Sequence, residues 1–177
     1  GLELSEQKTR VVHIDEGFDF LGWNFRKYRG KLLIKPSRKN VKAFYEKVRD
    51  EIAVSLGVPV AALIKRLNAK LRGWALYHRG AVSKAAFSRM DSLIYWRLMR
   101  WGRRRHPRKS GKWVYDTYWP QGGSRRVFST TCSNKRNERN VVALYKLADT
   151  AIERSVKVQG DYNPYDPAWE SYSEKRL

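Results

Sequence analysis

Arg89, Trp96, Arg100 and Arg103 follow one another at intervals of seven, four and three, in a segment whose apolar residues recur at helical spacing. That spacing puts all four on one helix face, with Arg97 and Arg104 close beside them. Arg105 stands at the end of the helix, which must stop at His106-Pro107 because the residue before proline is pushed out of the α region, and Arg108, Lys109 and Lys112 extend the positive charge past it. Guanidinium groups fork to phosphate oxygens, and an interposed indole stacks on an unpaired base or a ribose. The bland alternative is a solvated helix face with Trp96 tucked against a neighbouring helix. No acid stands four residues from any member of the row. Complementing the helix dipole explains one or two such arginines, not six.

A second cluster, Arg72, Gly73, Trp74, Tyr77 and Arg79, falls within two turns of the preceding apolar stripe. Gly73 costs about 1 kcal/mol relative to alanine inside a helix, so a close approach to its backbone is expected, either from a neighbouring helix or from a nucleic-acid backbone. Lys65, Lys70 and Arg72 face away from the stripe and are candidate phosphate contacts. Other chemistry has little support. Asp15, Glu16 and Asp19 suit turn formation better than cation binding. His13, His78 and His106 have no carboxylate or cysteine at a useful spacing, and no phosphate-binding glycine loop or nucleophilic triad is readable. Cys132, the only cysteine, excludes an internal disulfide and a multi-cysteine metal site.

The charge arithmetic agrees with the row. The 177 residues carry 37 Lys+Arg and 17 Asp+Glu, a formal charge of +20. Residues 60–126 hold 17 of the basic residues and only 2 acids, Asp91 and Asp116. A solubility surface interleaves both signs, so this imbalance points to a polyanion, nucleic acid ahead of an anionic membrane or an acidic protein. At 42% hydrophobic and 13% aromatic the chain is too apolar for a disordered basic tail. The least polar stretch, Ala53 to Ile64, is interrupted by Ser55, Gly57 and Pro59 and is too short to span a bilayer. A start at Gly1 suggests a piece of a longer protein.

The elements that must position these residues read as mainly α with small β parts. Residues 1–36 are expected as short strands: Val11 to Ile14, a second strand flanked by Phe18, Phe20 and Phe25, a turn at Tyr28-Arg29-Gly30, and a third from Lys31 to Lys35. Residues 37–107 are expected as a three-helix bundle. Ser37 caps its first helix, with Val41, Phe44, Tyr45, Val48 and Ile52 as the stripe. Pro59 opens the second, with Leu63, Ile64, Leu67, Leu71 and Trp74. Ser83 caps the third, with Phe87, Met90, Ile94, Leu98 and Trp101. Residues 108–132 alternate through Trp113, Tyr115, Thr117 and Trp119 and predict a basic β-hairpin turning at residues 120–124. Residues 133–160 predict a fourth helix on Val141, Leu144, Tyr145, Ala148 and Ile152, and residues 161–177 an extended tail.

Several runs resemble the group II intron-encoded reverse transcriptases and maturases. Gly1-Leu2-Glu3-Leu4-Ser5, Lys8-Thr9 and Gly17-Phe18-Asp19-Phe20-Leu21-Gly22-Trp23 resemble the end of their palm domain. Leu71-Arg72-Gly73-Trp74-Ala75-Leu76-Tyr77, with Val82-Ser83-Lys84 and Phe87, resembles their thumb, the maturase-specific domain X. Arg103-Arg104-Arg105-His106-Pro107, Lys109-Ser110 and Tyr118-Trp119 continue the pattern. The tail Asn163-Pro164-Tyr165-Asp166-Pro167 with Trp169 resembles the lead into a DNA-binding and endonuclease region. The resemblance implies an RNA-directed DNA polymerase, using Mg2+ in the parent protein, whose thumb grips intron RNA for splicing and the RNA–DNA template–primer duplex for cDNA synthesis and retrohoming. It implies Arg72, Gly73, Trp74, Tyr77, Arg79 and Lys84 as thumb residues, and Arg100, Arg103, Arg104 and Arg105 as RNA contacts. The remaining palm and fingers would be partners, in a bacterial cytoplasm and close to the nucleoid during mobilisation, with no membrane involved. The family's Asp-Asp polymerase pair and its Cys- and His-rich endonuclease residues do not occur in this chain, so this region is expected to bind without a cofactor rather than to polymerise or cut. A freestanding DNA/RNA-binding protein, or the thumb of a domesticated CRISPR-associated or repair reverse transcriptase, are the alternatives.

Overall fold

A computed structural model describes residues 11–121, 125–133, 139–154, 158, 160–163 and 165–175. The runs at Gly1 to Thr9, Gly122 to Ser124 and Asn134 to Glu138, and Pro164 in the tail, lie outside the described residues. Three strands come first, β1 (Phe18–Phe20), β2 (Trp23–Tyr28) and β3 (Lys31–Pro36), in an antiparallel meander. Both hairpins turn on two residues with positive φ, Leu21-Gly22 (46° and 83°) and Arg29-Gly30 (48° and 77°). These turns carry the backbone sign that matches strand twist. The segment expected as one strand around Phe18 to Phe25 is therefore two, and Val11 to Ile14 is not a strand but leads into a turn over residues 14–16.

The three-helix bundle follows as expected: α1 (Arg38–Val54), α2 (Val60–His78) and α3 (Lys84–Arg105). Ser37 Oγ accepts from the Asn40 N–H at 3.1 Å and caps α1. The three apolar stripes meet in one core that includes Val48, Leu67, Leu71, Phe87, Ile94 and Leu98.

Two expectations beyond Pro107 are corrected. Trp113 to Trp119 is not a strand but lies in and just past a helix, α4 (Gly111–Tyr118), capped by Ser110 Oγ on the Trp113 N–H. The run alternates, but Val114 and Tyr118 are also four apart, and both are buried against α3. Gly102 decides between the two periods: a Cβ there would lie 2.5 Å from Val114 Cγ1, so α4 packs directly on the α3 backbone. Val141 to Ile152 is not a helix. The hairpin is displaced to β4 (Ser129–Ser133) and β5 (Arg139–Ala143), followed by a 3-10 turn at Leu147–Asp149. Asp91 on α3 takes the Leu147 and Ala148 N–H groups at 3.0 and 2.9 Å, and Asn68 on α2 takes the Tyr145 N–H at 2.7 Å. These side chains occupy backbone donors that a helix would have used. The tail, expected to be extended, instead holds a 3-10 turn at Pro167–Trp169, where Asp166 accepts from the Ala168 N–H, and a short helix, α5 (Glu170–Glu174).

The sheet is tied to the bundle through Asn40. Its Oδ1 accepts from Trp74 Nε1 at 2.8 Å and from His78 Nε2 at 3.0 Å, which puts the imidazole proton on Nε2. A Cβ on Gly22 would lie 2.8 Å from the Asn40 side-chain nitrogen, so the β1–β2 turn rests on the same residue. Trp23 stacks on Tyr77, and Tyr77 Oη donates to the Leu21 carbonyl at 2.6 Å.

His78 is fully buried, its Nδ1 has no hydrogen-bond partner among the described residues, and burial lowers its pKa to about 4. The unfolded chain, with an ordinary histidine pKa of about 6.5, binds the proton more readily between these two values. The contribution of His78 is therefore complete above about pH 6.5 and falls by about 3 kcal/mol as the pH drops towards 4. Chemical denaturation at a series of pH values checks this. His78→Gln removes most of the slope; an identical slope in both proteins would assign the loss to other groups.

Candidate nucleic-acid interface

The α3 row projects from one side of the bundle. Arg89, Arg100, Arg103 and Arg104 are exposed and Arg97 is half-buried. None of these five makes an ion pair or a side-chain hydrogen bond among the described residues, and the Arg103 guanidinium lies against Gly111, its Nη2 2.6 Å from where a Cβ would sit. Trp96 is 64% exposed in their midst rather than tucked under a neighbouring helix. Trp96, Met99, Arg100 and Arg103 enclose a shallow depression on this face. Arg108, Lys109 and Lys112 continue the charge through the α3–α4 link, with the Lys109 ammonium 5.4 Å over the Trp113 ring.

The remaining candidates are engaged in holding the fold to different degrees. Arg105 is half-buried and its Nη1 donates to the Leu56 and Val58 carbonyls at 3.0 and 2.7 Å, closing the α1–α2 loop. Trp74 is buried and stacks on Phe44 at 4.6 Å. Tyr77 and Arg79 are tied to Leu21 and Glu153, and Lys84 Nζ donates to the Ala148 and Thr150 carbonyls, each at 2.7 Å. Lys70 pairs with Glu51, and this hydrogen bond leads the effects that lower the Glu51 pKa. Arg72 lies 4.5 Å over the Tyr145 ring. Lys65 is exposed and unpaired among the described residues.

Residues 41–119 match the family model described as "Group II intron, maturase-specific domain". That span is similar to the maturase-specific domain of group II introns. A search of curated proteins returned no match to the chain. The domain takes in α1 from Val41, then α2, α3 and α4, ending at Trp119. The α3 row and the Gly73 cluster therefore lie inside the matched span, whereas β1, β2 and β3 precede it. Among the described residues no group of three or more His, Cys, Asp and Glu side chains is placed to hold a metal ion. No helix among them is long and apolar enough to cross a membrane.

The structure adds residues that sequence reasoning missed. Arg38 and Lys42 on α1 and Arg89 on α3 border one groove floored by Val41, Tyr45 and Leu93. Their signal was present, since Arg38 and Lys42 are four apart and the apolar stripe begins at Val41. Eight acids in residues 1–59 diluted it.

Gly73 departs from its expected reason. A Cβ there would meet nothing within 4 Å, so no neighbouring helix requires the glycine. Gly73→Ala should stabilise the domain by about 0.5–1 kcal/mol, measured by urea denaturation. If nucleic acid approaches this backbone, the same variant binds RNA more weakly. Unchanged affinity would remove Gly73 from the interface.

Proposed function

We propose that this maturase-specific domain is the thumb of a group II intron reverse transcriptase, and that it binds intron RNA and the template–primer duplex through the α3 face. The observation that carries this reading is the row Arg89, Arg97, Arg100, Arg103 and Arg104 around exposed Trp96, with no acidic partner among the described residues. Five guanidinium groups along about 22 Å of helix suit successive phosphates of a folded RNA, which is read by backbone and shape more than by base edges. Lys65, Arg108, Lys109 and Lys112 extend the same field. Arg105 and Trp74 support the face from beneath and do not touch the ligand. The region binds, and the chemistry of DNA synthesis belongs to the palm of the parent protein.

Competition binding at near-physiological salt tests this. A labelled intron RNA hairpin is challenged with excess RNA–DNA duplex and, separately, with unrelated hairpins. Intron RNA that resists both competitors supports maturase recognition by this domain. Equal competition by every nucleic acid reduces its role to a general electrostatic grip, and failure to bind at all sinks the reading.

A further inference from the structure

A second feature adjoins the arginine row on the side away from α1. A cavity of about 290 Å³ opens between α3, the Arg126-Val127-Phe128 segment and the chain leaving β5. Five of its lining residues are aromatic, Tyr95, Trp96, Trp119, Phe128 and Tyr145, and four are aliphatic. Trp119 and Phe128, 4% and 1% exposed, are packed into the core beneath it. Tyr95 stands edge-on to both Trp119 and Trp96, with ring centres 5.2 and 5.1 Å apart. Trp96 serves both the cavity and the cationic depression with Arg100 and Arg103. The space lies at the small end of ligand sites, enough for one flat heterocycle and too narrow for a base pair with its backbone.

Its polar groups are few and distinct. Asp91 reaches the wall with both carboxylate oxygens already accepting backbone N–H groups, and a carboxylate has lone pairs left for a further donor such as an exocyclic amine. The Lys146 ammonium, also at the wall, makes no ion pair or hydrogen bond among the described residues. Arg126, by contrast, is held by Asp116 at 2.7 Å.

We infer that this cavity receives a single unpaired nucleobase of the RNA lying along α3, stacked among Trp96 and Tyr95, with Lys146 beside its phosphate. The inference rests on the proposed RNA-binding face. Arg100 and Arg103 lie four and seven residues beyond Trp96, so a backbone that follows them passes the cavity mouth. Charge complementarity selects this occupant, because an apolar peptide would leave Lys146 and the adjoining arginines without partners.

The test uses the whole chain and two RNA stems that differ by one unpaired 2-aminopurine. The stem with the unpaired base should bind about 5- to 100-fold more tightly, the range that stacking one base on aromatic side chains gives, and its emission should change on binding. Trp96→Ala, and Ser92→Leu at the cavity wall, should bring the ratio of the two affinities close to one. Replacing Arg100 and Arg103 by alanine should lower both affinities and leave the ratio intact. If both stems bind the unaltered chain equally with unchanged emission, the inference falls and the RNA-binding face stands. If neither binds, the face itself is refuted and the cavity assignment goes with it.

Discussion

Replacing Arg100, Arg103 and Arg104 together by alanine should weaken binding of a structured RNA by at least about 3 kcal/mol, roughly a hundredfold or more, since each loses a hydrogen-bonded contact to a charged phosphate. The loss should be similar across RNA sequences, because phosphate contacts position a ligand without reading its bases. The slope of log affinity against log salt should also become shallower by about two to three, one for each phosphate neutralised. The unfolding midpoint should hold, since the three side chains are exposed and unpaired among the described residues. Surface changes of that kind stay within about 0.5 kcal/mol each, and removing crowded like charges relieves repulsion. Filter binding across a salt series and a denaturation curve on the same preparation decide the matter. An unchanged salt slope would take the row out of the interface, and a lost fold would make the arginines structural.

Trp101→Ala should do the reverse, destabilising the domain by about 3–5 kcal/mol. Trp101 is 3% exposed, its Nε1 donates to the Ser55 carbonyl at 3.2 Å, and its ring meets Tyr118 and Phe128 edge-on. Truncation opens a cavity where α3, α4 and the α1–α2 loop converge and strands a carbonyl in a dry site, which adds desolvation to lost packing. The Arg105 guanidinium, 5.1 Å over the same indole, loses the surface that aligns it on Leu56 and Val58. Against a total of about 5–15 kcal/mol for an ordinary domain, this is a severe loss. Urea denaturation measures it, and a variant of unaltered midpoint would place Trp101 outside the core. Trp101→Phe, which keeps an aromatic ring of smaller size and gives up the hydrogen bond, should recover part of the difference.

Helices α1, α2 and α3 were legible because an apolar period ran between clear start and stop signals, although Ser83 does not cap α3 with its side chain: its Oγ donates to the His78 carbonyl at 2.6 Å. Ser37 precedes the first stripe, Pro59 opens the second, and His106-Pro107 closes the third. The regions that misled sequence reasoning are those where two periods coexist. In Trp113 to Trp119 strand alternation and the pair Val114/Tyr118 are both present, and Gly102, twelve residues earlier than Val114, settles the matter by letting a helix approach. Val141 and Val142 carry β preference while the residues after them keep a helical period. Asp91 and Asn68, far away in sequence, then take the backbone donors that a helix needs. The binding face was legible as a spacing on α3, but its supports were not. No local pattern announces that Arg105 turns inward to loop carbonyls, or that the buried His78 donates to a residue 38 positions away.

The Asn40 junction has a consequence for how related sequences can drift. Gly22, Asn40, Trp74 and His78 come from a turn and two helices, yet one amide oxygen serves two of them and one missing methyl accommodates it. A side chain at position 22 would displace the amide, and a shorter residue at position 40 would leave an indole and an imidazole N–H without an acceptor. Substitutions at these four positions should therefore be individually unfavourable and jointly tolerable. Descendants of a common ancestor would keep the set or exchange it as a block.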